Sequence, residues 1–163
     1  MDAEDTDTTE TPETDTSDTI VIGAGQAGLA ASRALTDRGI DHVVLERGRI
    51  GEAWRSGRWD SARLLTPNWM TRLPGYSYRG DDADGFMSMP EVATFFEDYA
   101  HSFAAPVREG VEVTTVRRNG ERLHVGTTDG SHTVRNVIVA SGHLGEPRVP
   151  TQVAAGLRRS DQR

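Results

Sequence analysis

The sequence predicts an α/β fold: a doubly wound parallel sheet with an antiparallel β-meander as a crossover. Three observations carry this expectation. Near the N-terminus an apolar strand runs directly into a glycine-rich turn and a small-residue helix, the order of a βαβ unit. Farther on, Asn119-Gly120 and Asp129-Gly130 divide a period-2 stretch into three short strands. A continuous apolar run, Asn136-Val137-Ile138-Val139-Ala140, then suits a strand buried on both faces.

Length and charge bound what this fold can do. At 163 residues there is enough chain for one domain, whereas two would need roughly 300 at about 150 each. Residues 1–17 are mostly Asp, Glu and Thr, too polar to offset the entropy of ordering, and read as a disordered acidic tail. Most of the net charge of −7 sits there, because eight of the 25 acids fall in residues 1–18 and leave 17 against 18 arginines elsewhere. Arg117-Arg118 and Arg158-Arg159 are isolated pairs, so a nucleic-acid partner is not expected. An acidic N-terminus is the opposite of a signal peptide, and no apolar run reaches the roughly 20 residues of a membrane span. The expectation is a cytoplasmic protein with no membrane partner. Cysteine is absent, which excludes disulfides, a redox Cys-x-x-Cys and a thiolate zinc site from these residues.

The glycine-rich turn is the element with chemistry in it. After the strand Thr19-Ile20-Val21-Ile22 comes Gly23-Ala24-Gly25-Gln26-Ala27-Gly28. Gly23 permits the tight turn, Gly25 lets backbone approach a pyrophosphate, and Gly28 lets the helix pack close to the sheet. The helix N-terminus presents free N–H groups and the positive end of its dipole. A helix is predicted over 26–38, with Ala27, Ala30, Ala31, Ala34 and Leu35 for close packing and Gly39 as its C-terminal cap. A strand at 42–45 ends at Glu46, where an acid accepts hydrogen bonds from a ribose hydroxyl. The motif alone leaves open which dinucleotide is bound, and an ordinary βαβ turn without a ligand remains the alternative.

Residues 47–85 lack long periodic segments, yet they hold all three tryptophans, Trp54, Trp59 and Trp69, with Leu64, Leu65 and Met70. This segment is expected to be packed, either as an irregular cover over the sheet or as a wall against a flat aromatic cofactor. Next, Ser88 and Glu91 form a capping box with Pro90 in the first turn, and Val92, Phe95, Phe96, Tyr99 and Phe103 make a core-facing stripe. A short strand near Val107 leads into the meander, and Ser141-Gly142 ends the last strand. The five histidines, His42, His101, His124, His132 and His143, lack metal-ligand spacing and read as structural or surface residues.

Taken with Glu46, Gly51-Glu52-Ala53-Trp54-Arg55, the run from Arg58 to Pro67, Met89-Pro90-Glu91 and Val137 to Gly142, the sequence resembles the N-terminal FAD-binding part of flavin-containing monooxygenase-like oxidoreductases, in the group with two dinucleotide-binding domains. The resemblance implies a Rossmann-like FAD-binding domain over 18–150. It implies that Gly23, Gly25, Gln26, Ala27 and Gly28 cradle the FAD pyrophosphate and that Glu46, with Arg47 beside it, meets the adenosine ribose. Trp54 and Arg55 would lie along the ribityl-phosphate and flavin, Val113 would pair with adenine through its backbone, and Ser141-Gly142 matches the family's Ala-Thr-Gly strand end. Glu52 departs from the family by standing where many relatives have a second glycine.

In such enzymes NADPH reduces the flavin, which then reacts with O2 to oxygenate a substrate, so the protein mainly binds, orients and excludes water. No catalytic side chain is singled out. After Pro150 the family continues into a second dinucleotide-binding unit for NADPH, whereas 151–163 is a short arginine-rich tail. The chain is therefore expected to be a truncated FAD-binding domain, impaired alone, with a second chain as a source of the NADPH domain. The alternatives are an NAD(P)-dependent oxidoreductase, with Glu46 favouring NAD, and a non-catalytic FAD-binding remnant or half of a split enzyme.

Overall fold

A computed structural model describes residues 17–142. All of the tail expected at 1–17 except Ser17, together with His143, the boundary at 150 and the segment 151–163, lies outside the described residues. The first strand, β1 (Thr19–Ile22), leads through the glycine turn into helix α1 (Gln26–Thr36) and strand β2 (His42–Glu46). Hydrogen bonds from Ile40 N–H to the Leu35 carbonyl and Gly39 N–H to the Thr36 carbonyl close the helix as a Schellman turn, with Gly39 at φ +64°. The predicted cap is therefore in place.

A one-turn helix α2 (Glu52–Arg55), a 3-10 turn (Asn68–Met70) and a two-residue hairpin, β3 (Arg72–Leu73) with β4 (Tyr76–Ser77), occupy the insertion. Helix α3 (Met89–Ser102) follows, then strand β5 (Val107–Glu109) and the meander of β6 (Val113–Asn119), β7 (Arg122–Thr127) and β8 (Gly130–Val134). The last described strand is β9 (Asn136–Val139). Strands β5, β2, β1 and β9 form one parallel sheet in that order, and the meander forms a separate antiparallel one.

Alternation along these strands divides the core into two layers. Val21, Val44 and Ile138 pack with Leu29 of α1 and Val92, Phe95, Phe96 and Tyr99 of α3. Ile20, Val43, Leu45 and Val137 pack with Leu123, Val125 and Val134 of the meander. Helices thus cover one face of the parallel sheet and the meander covers the other. The capping box is formed as expected: the Ser88 N–H and Oγ–H both donate to the Glu91 carboxylate.

Two expectations are corrected. Strand β9 is covered on both faces, at Ile138 on one and Val137 on the other, but only partly buried: it pairs only with β1, is the edge of the sheet among the described residues, and leaves Val139 71% exposed. The tryptophan-rich insertion is packed only in part. Ala62, Asn68 and half-buried Trp54 and Leu64 face inward, while Trp59 is 70% and Leu65 97% exposed. Side chains without a helical or strand period have no fixed inward face, and composition alone does not say which of them the chain turns inward.

Candidate functional site

The C-terminal ends of β1, β2 and β9 meet at the glycine turn, where parallel α/β sheets hold their ligands. Gly23 is at φ +102°, and its N–H continues the ladder to the Leu45 carbonyl at 2.8 Å. A Cβ on Gly23 would lie 2.6 Å from the Ala140 carbonyl oxygen, and one on Gly28 would land on the Gly23 carbonyl. These two glycines therefore let turn, helix and β9 close on one another. Gly25 differs: a Cβ there meets nothing within 4 Å. No packing against the chain itself requires glycine there.

Helix α1 starts at that open position without a side-chain cap and with no acid in its first turn. The N–H groups of Gln26, Ala27 and Gly28 lie in its first turn, where no intrahelical carbonyl precedes them, at the positive end of the dipole. This is the donor set for an anion such as a pyrophosphate.

Glu46, half-buried at the end of β2, closes the other side. Its carboxylate accepts the Ala24 N–H at 2.8 Å through Oε2 and the Gly48 N–H at 2.9 Å through Oε1. The acid is thus held rigidly beside the turn, with lone pairs left for hydroxyl donors. Arg47 is exposed next to it. The Val111 N–H donates to the Glu46 carbonyl at 3.0 Å, which brings the start of the meander, and Val113, to the same end of the sheet.

On the helix side a cavity of about 180 Å³ opens between Gln26, Trp54, Leu64, Thr66, Met70 and Phe96. Trp54 stacks on Phe96 with ring centroids 6.0 Å apart, and the Arg58 guanidinium lies 5.1 Å from the Trp54 ring. Trp54 is therefore a cavity wall running on from the helix N-terminus. The guanidinium of Arg55 pairs with Glu97 of α3, which anchors α2 and uses its charge within the protein; its Nε is buried with no hydrogen-bond partner. Ser141 and Gly142 are exposed where β9 leaves the sheet, and the Ser141 Cα would be 3.3 Å from a Cβ at Gly23.

Most residues singled out in the sequence thus gather at this end of the sheet: Gly23 to Gly28 in the turn, Glu46 bonded to it through Ala24, Gln26 and Trp54 along the groove beside α1, and Ser141 against Gly23, with Arg47 next to Glu46, Val113 at the start of the meander and Gly142 after Ser141. Sequence reasoning missed Gly48 and Glu109, whose links to Glu46 and Ile50 shape the groove wall. His42 is buried and bonded to Ser32 Oγ and the Ile40 carbonyl, a structural role. Among the described residues no cluster of His, Cys, Asp and Glu could hold a metal, and no helix is long and apolar enough to cross a membrane.

With this geometry established, the sequence model of the family described as pyridine nucleotide-disulphide oxidoreductase matches residues 20–158. The chain belongs to that family. This family member is 37% identical over 134 residues to an uncharacterized CzcO-like oxidoreductase of Geobacillus kaustophilus, covering 82% of the chain and 38% of the relative. It is 30% identical to an indole-3-pyruvate monooxygenase of Arabidopsis thaliana, over 80% of the chain and 33% of the relative. A flavin-containing monooxygenase structure from Stenotrophomonas maltophilia superimposes with a TM-score of 0.73 at 32% identity, covering 82% of this chain and 40% of that one.

The resemblance to flavin monooxygenase-like oxidoreductases and the Rossmann-like fold are thereby established. The chain spans about two fifths of the length of the CzcO-like relative and of the flavin monooxygenase structure.

Proposed function

We propose that this chain is the FAD-binding domain of a flavin-dependent monooxygenase-like oxidoreductase. The observation that carries the reading is the pairing of an open, uncapped helix N-terminus at Gly25 with the rigidly held carboxylate of Glu46. The N–H groups at 26–28 bind the pyrophosphate, Glu46 and its neighbour Arg47 meet the adenosine ribose, and backbone near Val113 meets the adenine. Trp54 walls the cavity on the ribityl and flavin side. The Arg58 guanidinium supports that wall, 5.1 Å from the Trp54 ring. When bound, FAD supplies the hydride-accepting and oxygen-activating chemistry. The residues of this chain bind it, orient it and keep water from one of its faces.

The relatives' additional length supports a second part of the machinery, an NADPH-binding unit, supplied either by further polypeptide or by a second chain. Alone, the domain holds FAD weakly and oxidises NADPH poorly, because half the cofactor's surroundings and the hydride donor's site lie elsewhere. The lack of cysteine agrees with oxygen chemistry and not dithiol chemistry at these residues. A cytoplasmic setting is part of the same reading.

Competition between FAD and NADH for the protein, followed by quenching of tryptophan fluorescence, tests the proposal. FAD should quench and NADH should fail to displace it. Preferential binding of NADH would favour a nicotinamide-dependent enzyme, with Glu46 on the NAD ribose. Brisk NADPH oxidation by the isolated chain would contradict its impairment.

A further inference from the structure

The loop between β2 and α2 carries Gly48, which holds Glu46, and delivers Gly51, from which Trp54 is placed. The segment Glu109-Gly110-Val111 holds this loop by three hydrogen bonds. Val111 N–H donates to the Glu46 carbonyl at 3.0 Å and Gly110 N–H to the Gly48 carbonyl at 3.1 Å. The third comes from the loop: Ile50 N–H donates to Glu109 Oε1 at 2.7 Å, between residues 59 apart in the chain. It is the shortest of the three and the one that depends on a side chain.

The loop beyond Ile50 has little slack. Gly51 is at φ +71°, its N–H donates to the Ala24 carbonyl at 3.2 Å, and a Cβ on it would sit 3.3 Å from the Ala93 Cα. A shift of Ile50 is therefore transmitted to the glycine turn through Gly51 and Ala24. On the other side it reaches Glu46 through Gly48. Glu109 stands directly across from Glu46 in the β2–β5 register, so two like charges face each other on neighbouring strands. Each carboxylate accepts backbone N–H bonds, which offsets their repulsion.

We propose that Glu109 is a positioning residue for the dinucleotide: its carboxylate fixes Ile50 and thereby sets the spacing between Glu46 and the glycine turn before the ligand arrives. The inference rests on the reading of this groove as the FAD site. Glu109 is exposed and lines an open cavity of about 440 Å³ with Ile50, His101 and Val107, so shortening it leaves no sealed void in the core. What it contributes to binding is preorganisation of the groove, through an acceptor at one point in space and not through a charge.

The test compares dissociation constants for FAD and for ADP, the adenosine half alone, in wild type, Glu109→Ala and Glu109→Gln, each with its Tm. Glu109→Ala should weaken both ligands by about tenfold, the worth of one hydrogen bond. Glu109→Gln keeps the Oε1 acceptor and should restore binding of both. Tyr99→Phe, which removes a bond to the Pro74 carbonyl away from the groove, should lower Tm with unchanged affinity. Glu109→Met keeps the side-chain length without the acceptor and carries the same expectation as the alanine variant if that one does not fold. Wild-type affinity in Glu109→Ala or Glu109→Met, or equally weak binding in Glu109→Gln, would overturn the proposal while leaving the FAD reading intact. A wild-type protein that binds neither FAD nor ADP would overturn both.

Discussion

Glu46 Oε2 accepts the Ala24 N–H at 2.8 Å, tying the acid at the end of β2 to the glycine turn at the end of β1. The same carboxylate holds Gly48, so Glu46 fastens the loops around it in addition to the ribose contact proposed for it. Replacing it by alanine removes both functions. Glu46→Ala should weaken FAD binding by roughly 10- to 100-fold, on the scale of a hydrogen bond to a charged group, without abolishing it. Its Tm should fall as well, measured on the apo protein.

Glycines of the same motif should separate by phenotype. Gly25 has extended backbone at φ −90° and open space for a Cβ. Gly25→Val should therefore fold and melt nearly as wild type but bind no FAD, because its side chain occupies the pyrophosphate position. Gly28→Ala places a methyl on the Gly23 carbonyl and should instead lower Tm sharply. Circular dichroism melts beside FAD titrations distinguish the two. Equal FAD affinity in Gly25→Val and wild type would refute the placement of the pyrophosphate.

Helix α3 ends in an unusual way. Ala104 adopts φ +51° where the Ala105 N–H turns back to the Ala100 carbonyl at 2.9 Å, a position that favours glycine. Ala104→Gly should relieve this strain and raise stability by about 1 kcal/mol, measured by urea denaturation. An unchanged or lower midpoint would mean the backbone tolerates alanine there without strain.

The start of α3 gives a pH-dependent prediction. Hydrogen bonds from the Ser88 side chain and backbone hold the Glu91 carboxyl below its ordinary value of 4.5. A carboxyl depressed in the folded state adds stability that is fully present above the unfolded value and is lost as pH falls through the folded one. Ser88→Ala should therefore cost about 1 kcal/mol at neutral pH, and the gap from wild type should narrow below pH 4.5. Melts at pH 7 and pH 3 would check this.

The features legible in the sequence were those whose cause is local. Gly23 and Gly39 are required by the backbone angles of a turn and a helix end, and Ser88 and Glu91 lie three residues apart, so their neighbours in sequence suffice to place them. The Asn119-Gly120 and Asp129-Gly130 turns belong to the same class. Long-range relations were hidden. Whether β9 is central or at an edge depends on what pairs with it, which the apolar run at 136–140 does not encode. The exposure of Trp59 and Leu65 depends on the path of an aperiodic segment, and the bond from Ile50 to Glu109 joins residues 59 apart whose side-chain types announce nothing about each other.

Arg55 illustrates the same limit within the site. The resemblance implies that it lies along the ribityl-phosphate and flavin, whereas its pairing with Glu97 of α3, 42 residues away, was not legible. That pair depends on the packing of α2 on α3.

The absorbance spectrum of the purified protein, recorded before and after adding FAD and again after desalting, tests the cofactor assignment most directly. The protein should carry less than one FAD per chain as purified and lose part of it on desalting. It should take up more when supplied, with visible bands shifted from those of free FAD while excess FAD is present. A colourless protein that returns only the unshifted spectrum of free FAD at every FAD concentration would contradict the assignment.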